Sequence, residues 1–213
     1  MFPPTRLPRA FYDRPTLQVA RDLLGKRLIH IENGLPIGGI ITETEAYCGE
    51  EDLGCHAKAG RTSRTAVMYG PSGHAYVYFT YGMHWLFNCV TRPEGTPEAV
   101  LIRAIEPTDG LDMIAHRRGR QPHSLWTDGP AKLTQALGIS SDHNGIDLTS
   151  QDSDVFLQEA LTVTANRVTT SPRVGLYTVP EPWKSIPWRF QVELEGIDII
   201  EEKNPLGGTY ELT

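Results

Sequence analysis

The chain has 213 residues, of which 39% are hydrophobic and 22% charged, with 20 Gly and 16 Pro. This composition fits one globular domain of short elements joined by turns and argues against a long helical bundle. The sequence lacks both an apolar run of roughly 18 residues and an apolar N-terminal signal core, so we expect no membrane-spanning helix and a cytoplasmic location.

Charge is distributed unevenly along the chain. The formal net charge is −6, but His56 to Arg120 contains eight Lys and Arg against five Asp and Glu, a net of +3, which leaves −9 for the rest. Arg outnumbers Lys fifteen to five, and the guanidinium is the better bidentate phosphate ligand. A solvated surface with a chance asymmetry explains the charge equally well, so charge permits a nucleic-acid partner without requiring one.

The first half of the chain predicts a helix and then five strands. Asp13 is a candidate cap for the helix, and Gly25 ends it. Asn33-Gly34 is a typical hairpin turn, and Gly82-Met83 joins a second hairpin after a loop over Cys48–Gly73. The predicted elements are helix Pro15–Leu24 and strands Arg27–Ile31, Ile37–Tyr47, Ala75–Tyr81, Trp85–Val90 and Ala99–Ala104.

The second half predicts two helices followed by short strands. The first helix begins after Thr108-Asp109 and fades at Arg117–Arg120. The second begins at Gly129-Pro130 and ends at Gly138. The strands are expected near Leu161–Ala165, Arg173–Tyr177 and Trp188–Leu194. Because strands outnumber helices, we predict an α+β fold with a curved, mainly antiparallel sheet and peripheral helices. We expect one domain over residues 1–213, with a core at about 9–195.

Polar residues alternate along one predicted strand. Glu43, Glu45 and Tyr47 project from the same face, because side chains on a strand alternate between its two faces. A solvent-facing edge strand would explain them without any chemistry. A shared acidic and phenolic site is the functional alternative.

The following hairpin is unusually aromatic. Tyr76 and Tyr78 share one strand face, and Tyr81 begins the turn. A planar side chain at a hairpin tip can insert between base pairs, and a tyrosine below it can stack on an extruded base. Aromatic residues in a strand are also common in protein cores, so the pattern alone leaves both interpretations open.

Several longer motifs follow one another along the chain. They are Glu43-Thr44-Glu45-Ala46-Tyr47, Asp52, His56, Tyr76-Val77-Tyr78, Tyr81-Gly82-Met83-His84, Asn88, Val100-Leu101-Ile102-Arg103-Ala104-Ile105-Glu106-Pro107 and Gly129-Pro130-Ala131-Lys132-Leu133. In this order they resemble the alkyladenine (3-methyladenine) DNA glycosylase family. The likeness runs from Phe11-Tyr12 to Arg173-Val174-Gly175, most of the chain.

The resemblance implies a catalytic role for two residues. Glu45 matches the acid that activates the attacking water, and Arg103 matches a ligand near that water and the DNA backbone. Excision passes through a sugar with oxocarbenium character, so a nearby carboxylate can stabilise it and accept a proton from water. Alkylation at N3 or N7 makes the base a cationic leaving group, which favours a pocket of aromatic faces.

The resemblance also implies six DNA-contacting positions. Four of them match residues that surround the flipped base. A fifth matches the wedge that fills the gap in the duplex, and the sixth matches the residue beside the wedge. They are Tyr47, His56, Tyr78 and Asn88 around the base, Tyr81 as the wedge and Met83 beside it. Two positions depart from the usual pattern: Thr65 stands where the family usually has Asn, and Tyr69 where it usually has Phe, which leaves lesion preference open.

These implications define the expected activity. The substrate would be double-stranded DNA containing 3-methyladenine, 7-methylguanine, hypoxanthine or ethenoadenine, and hydrolysis would leave an abasic site. The nearest lysine in sequence is Lys58, which disfavours a Schiff-base mechanism with strand cleavage and predicts a monofunctional enzyme. Cys48, Cys55 and His56 lack a zinc-site spacing, so we expect neither metal nor cofactor. We also expect a monomer associated with a bacterial-type nucleoid.

Two rival functions remain. A non-catalytic damaged-DNA-binding module would keep the aromatic pocket and the wedge while leaving Glu45 idle. A small-molecule-binding domain of similar fold would have no use for Tyr81 as a wedge.

Overall fold

A computed structural model describes residues 5–194. Within this range, the strands are β1 (Arg27–Glu32), β2 (Leu35–Cys48), β3 (Ala75–Thr80), β4 (His84–Thr91), β5 (Glu98–Asp109), β6 (Val155–Gln158), β7 (Thr169–Ser171) and β8 (Arg189–Gln191). The α-helices are α1 (Arg9–Tyr12), α2 (Thr16–Asp22), α3 (Leu111–Arg118) and α4 (Pro130–Leu137). Short 3₁₀ helices cover His56–Ala59, Ala66–Tyr69, His123–Leu125, Ser141–His143 and Ala165–Arg167. The ends of the predicted domain lie outside the described residues.

All eight strands belong to one antiparallel sheet. Its main order is β3-β4-β5-β2-β1-β6, and β8 pairs with both β2 and β7. The long strand β2 is therefore central, with register shifts around Glu43 that bend it. Gly39 is required where β2 meets β5, because a Cβ there would lie 2.1 Å from the Glu106 carbonyl oxygen. The predicted α+β class is confirmed.

The main core lies between the sheet and the helices. Buried residues of α2, α4 and the inner strand faces form one cluster that includes Val19, Phe87, Ile102 and Leu133. A smaller cluster lies beside it, under the loop between β2 and β3, and joins Cys55, Met68, Tyr76, Val90 and Ala99. The second cluster packs against Tyr47 and Tyr78 and so provides a rigid base for the polar face of β2.

The predicted hairpins are confirmed, with shifted ends. Asn33 and Gly34 have φ of 51° and 79°, which matches the left-handed pair of a type I′ turn. β5 continues beyond the predicted Ala104 to Asp109, because it pairs with β2 as far as Gly38. The cap assigned to Asp13 is wrong: Pro15 occupies the N-cap of α2 and no side chain caps that helix.

Three predictions for the C-terminal part need correction. No strand forms at Leu161–Ala165, where the Leu161 amide donates to the Gly25 carbonyl outside any ladder. Arg173–Tyr177 is a loop, because the Val174 amide donates to the Glu45 carboxylate and not to the backbone of a neighbouring strand. The strand predicted over Trp188–Leu194 is limited to β8, and the buried strand β6 was not predicted.

Candidate active site

Glu45 lies on the central strand of the sheet and is completely buried. The Val174 amide donates to its Oε1 at 2.7 Å, and the Tyr47 hydroxyl donates to its Oε2 at 2.8 Å. Arg103 Nη1 lies 3.3 Å from Oε1. A carboxylate offers about four lone-pair positions, so one position on Oε2 is left for another donor. The burial excludes a solvent-facing edge as the explanation for this acid.

The alternation predicted for β2 is confirmed by the contacts on its two faces. Thr44 is buried on the opposite side, where its hydroxyl donates to the Ala20 carbonyl of α2 at 2.7 Å. Glu45 and Tyr47 share the other face and are hydrogen-bonded to each other. Burial and the neighbouring Glu45 carboxylate raise the pKa of Tyr47, so its hydroxyl stays protonated and acts as a donor.

Arg103 links two carboxylates on β2. Its Nε donates to Glu43 Oε1 at 2.6 Å while Nη1 faces Glu45, and Arg189 Nη1 donates to the same Glu43 oxygen at 3.2 Å. Burial alone would lower the pKa of Arg103, but Glu45 and Glu43 outweigh it and raise that pKa. The guanidinium therefore stays charged and offsets the repulsion between the two acids.

Burial also determines the protonation of the central acid. It raises the pKa of Glu45 above the ordinary value of 4.5, and the Arg103 charge, the Val174 amide and the Tyr47 hydroxyl act in the opposite direction. A carboxylate with a raised pKa is a stronger base than a free one. Such perturbed acids are frequent at functional sites.

An aromatic cavity of about 380 Å³ opens in front of this acid. Tyr47, Arg103 and Val174, the three hydrogen-bonding or ionic partners of Glu45, all line it, so the carboxylate lies directly behind the wall. The other predicted base-contacting residues also line the cavity: His56, Tyr78 and Asn88, together with the wedge residue Tyr81.

Three contacts order the aromatic wall. The rings of His56 and Tyr78 meet edge to face with centroids 4.5 Å apart, and His56 Nδ1 lies 3.0 Å from the Tyr76 hydroxyl. Asn88 Nδ2 donates to the Tyr76 carbonyl at 2.9 Å, across the β3–β4 pair. Burial, with Arg64 and Lys58, lowers the pKa of His56 to about 4, so this ring is neutral at pH 7.

The hairpin tip projects beyond the mouth of the cavity. Tyr81 is 82% exposed and Met83 is 65% exposed, although both side chains are apolar over most of their surface. Tyr81 has a φ of 51° and Gly82 a φ of 68°, and the Met83 amide donates to the Thr80 carbonyl, which closes a tight turn. A tyrosine in the left-handed region is strained, and such strain is concentrated at functional sites.

A buried ion pair beside the site was not predicted from the sequence. Arg173 Nη2 donates to Asp52 Oδ1 at 2.8 Å, Nη1 donates to the other Asp52 oxygen, and both side chains are fully buried. The same guanidinium donates to the Ala46 carbonyl at 3.0 Å and lies 4.8 Å from the Tyr47 ring centroid. Arg173 therefore anchors its loop, in which the following residue, Val174, donates its amide to Glu45.

Among residues 5–194, potential metal ligands cluster away from the cysteines and histidine whose spacing the sequence analysis considered. Cys48, Cys55 and His56 form no such cluster, whereas His30, His143 and Asp154 have ligand atoms within 4.8 Å of one another. His30 Nδ1 contacts the Leu137 carbonyl at 2.6 Å, and His143 Nδ1 accepts from the Ser140 amide. His143 must then donate through Nε2 to His30 Nε2, 3.3 Å away. This network explains the two histidines without an ion.

The aromatic cavity with a carboxylate behind its wall fits a DNA glycosylase that acts in DNA repair. Residues 10–195 match the family described as methylpurine-DNA glycosylase (MPG), and the chain belongs to this family. The resemblance inferred from the motifs is therefore confirmed. None of the helices between residues 5 and 194 is long and apolar enough to cross a membrane.

Relatives carry matching names. Proteins of Bacillus cereus (strain AH820) and Bacillus anthracis (strain CDC 684 / NRRL 3495) are each 43% identical over 195 residues, which is 87% of this chain and 95% of the relative. A protein of Chlorobaculum parvum is 43% identical over 185 residues, 86% of each chain. All three are named "Putative 3-methyladenine DNA glycosylase".

Proposed function

We propose that the protein flips a damaged purine from duplex DNA into the aromatic cavity and hydrolyses its N-glycosidic bond with water activated by Glu45. The observation that carries this proposal is the placement of Glu45: it is buried behind the cavity wall, bound by three wall residues, with one lone-pair position left. The substrates would be alkylated or deaminated purines of the 3-methyladenine, 7-methylguanine, hypoxanthine or ethenoadenine type.

The chemistry follows from the charges at the wall. As the bond between C1′ and the base nitrogen breaks, its electron pair leaves with the base and the sugar gains oxocarbenium character. A cationic methylated purine leaves as a neutral molecule, whereas a neutral purine takes up a proton from solvent as it leaves. The Glu45 carboxylate stabilises this positive charge and accepts a proton from water as the water oxygen bonds to C1′. Arg103 holds the carboxylate in place. Tyr47 keeps its own proton and orients Oε2.

The cavity is suited to holding the extruded base. Tyr47, His56 and Tyr78 would flank its faces, Asn88 would meet its edge, and Tyr81 with Met83 would enter the gap left in the duplex. A neutral His56 and four phenols give a wall without negative charge of its own.

Replacing the wedge tests this arrangement. Tyr81→Ser is expected to weaken binding to lesion-containing duplex by roughly tenfold, because stacking by one aromatic side chain stabilises an unpaired site by about 1–3 kcal/mol. The loss should be largest for neutral lesions. Fluorescence anisotropy measures it, with Leu35→Ser on the β1–β2 hairpin as a control, since Leu35 is also exposed, at 60%. Equal affinities of Tyr81→Ser and the control would contradict the wedge.

A simple hydrolytic reaction is proposed because no lysine among residues 5–194 lines the cavity. Lys58 is exposed, and its Nζ donates to the Leu53 carbonyl at 2.7 Å. Without an amine to form a Schiff base, the enzyme would leave an abasic site on an intact strand. An end-labelled lesion duplex distinguishes the outcomes. Strand breakage only after alkali supports this monofunctional reaction, breakage without alkali supports a lyase, and no breakage under either condition overturns the glycosylase.

The raised pKa of Glu45 predicts a pH dependence. Excision of 7-methylguanine should slow as pH falls, because the Glu45 carboxyl must be ionised to accept a proton. The midpoint of this loss should lie above the ordinary carboxyl pKa of 4.5. His56, with a pKa of about 4, stays neutral through this range and should not contribute. Single-turnover rates measure the midpoint, with circular dichroism at each pH as a check on folding. A midpoint at or below 4.5 in the folded protein would contradict the role of the buried Glu45 as the general base.

The rival function is a damage-binding module that captures the same lesions without cutting them. It leaves unexplained why Arg103, Tyr47 and the Val174 amide all converge on one buried carboxylate. We also propose that the protein acts as a monomer on double-stranded DNA in the cytoplasm, without a cofactor.

A further inference from the structure

A short loop behind the aromatic wall is held in shape by Thr65, one of the two positions that depart from the family pattern. The Thr65 side chain is buried, and its hydroxyl accepts from the Thr62 amide at 2.8 Å and donates to the Gly60 carbonyl at 2.9 Å. These bonds close a tight loop between the two 3₁₀ helices that precede β3. Arg64, the residue before Thr65, is directed by this loop toward the wall.

Arg64 lies against the wall from outside the cavity, where it also hydrogen-bonds the Tyr76 side chain. Its guanidinium carbon lies 5.0 Å from the centroid of the Tyr78 ring, and its Nη2 lies 3.3 Å from His56 Nε2. Tyr78 lines both the cavity and a neighbouring groove, whereas Arg64 lines only that groove. The arginine therefore acts on the cavity through Tyr78 and His56.

The charge of Arg64 is not balanced by an acid. The described residues contain ion pairs for Arg103 with Glu43 and Glu45 and for Arg173 with Asp52, but no carboxylate of these residues pairs with Arg64. The wall thus has an uncompensated positive charge directly behind one of its aromatic rings.

Arg64 also determines the tautomer of His56. A guanidinium can only donate, so His56 Nε2 must accept and Nδ1 must carry the proton, which it donates to the Tyr76 hydroxyl at 3.0 Å. Both ring nitrogens are then occupied, and the ring is held neutral. A cationic base beside His56 loses the one acceptor that this ring could have offered.

We propose that Arg64 is a selectivity residue that acts through Tyr78 and His56 and biases the cavity toward neutral damaged purines over cationic ones. This inference rests on the proposed function and specifies its substrate class. An aromatic face attracts cations through its quadrupole. Arg64 already makes a cation–π contact with the Tyr78 ring and repels a second positive charge. The wall therefore stabilises a cationic alkylated base less than a neutral base.

The test measures lesion binding in the Glu45→Gln background, so that no base is lost during the measurement. Arg64→Met removes the charge and the donor but keeps the aliphatic bulk. Arg61→Met removes one charge from an exposed position in the same loop and is the matched control. The readout is the ratio of the Kd for a duplex containing hypoxanthine to the Kd for one containing 7-methylguanine.

Arg64→Met should raise this ratio, in favour of 7-methylguanine, by roughly threefold to tenfold, as expected for an exposed to partly buried cation–π contact. Arg64→Lys should keep most of the preference, and Arg61→Met should leave the ratio unchanged. An unchanged ratio in Arg64→Met, or an equal change in Arg61→Met, would overturn the inference. Excision by the wild type tests the glycosylase itself, so the two proposals can fail separately.

A second readout does not depend on DNA. NMR titration of the His56 ring should show a pKa higher than about 4 in Arg64→Met, because a neighbouring positive charge is removed, and no change in Arg61→Met. An unshifted His56 would show that Arg64 does not control this ring and would contradict the route through His56.

Discussion

Glu45→Gln is expected to lower the single-turnover rate of purine excision by about 10²–10⁴-fold, the range for loss of a general base, while lesion binding stays nearly unchanged. The glutamine amide fits the same site. Its carbonyl can accept from Val174 and Arg103, and its NH₂ can donate to the Tyr47 oxygen, so the cavity keeps its shape. Only the ability to accept a proton is lost. Rates under enzyme excess and anisotropy titrations measure the two quantities.

Glu43→Gln provides a matched control for this experiment. Glu43 also binds Arg103, at 2.6 Å, and lies on the same strand face, but it does not contact the cavity partners Tyr47 and Val174. Its loss should reduce the rate far less than the loss of Glu45. Equal losses in the two variants would show that negative charge near Arg103, and not a specific base, supports excision.

Arg173→Met is expected to destabilise the protein by about 3–5 kcal/mol, because it leaves Asp52 charged and unpaired in a fully buried position. The guanidinium also binds the Ala46 carbonyl and the Trp183 carbonyl, so three separate segments lose their common anchor. Urea unfolding monitored by tryptophan fluorescence measures the change.

Two further variants make this stability prediction specific. The double variant Asp52→Leu with Arg173→Met should recover part of the loss, because no buried charge remains. Lys132→Met breaks an exposed pair with Asp128 and should cost less than about 1 kcal/mol. If Arg173→Met were no more costly than Lys132→Met, the buried pair would not be the anchor of the loop.

The parts of the fold that the sequence predicted are those defined by local patterns. Three elements depend on residues close together in the chain: the type I′ turn at Asn33-Gly34, the turn between β3 and β4, and the helix that begins at Pro130. The C-terminal strands β7 and β8 have only three residues each, and β8 is stabilised by pairing with β2, far away in sequence. Such short strands carry too little alternation to be distinguished from loops.

The candidate site was predictable to the same extent. Alternation along β2 correctly placed Glu45 and Tyr47 on one face. It could not decide between a solvent edge and a buried site, because that depends on β5 and β8 pairing on either side. The Val174 amide, 129 positions away from Glu45, was beyond any local pattern. The segment around it was predicted as a strand, although its amide binds a carboxylate.

The most direct test of the central claim is the release of free base from a lesion duplex by the wild-type protein, followed by chromatography. We expect a damaged purine to appear as the free base, with one abasic site formed for each base released, and the Glu45→Gln variant to bind the same duplex without releasing it. Tight binding by the wild type with every damaged base still attached to its sugar would contradict the glycosylase and identify the protein as a damage-binding module.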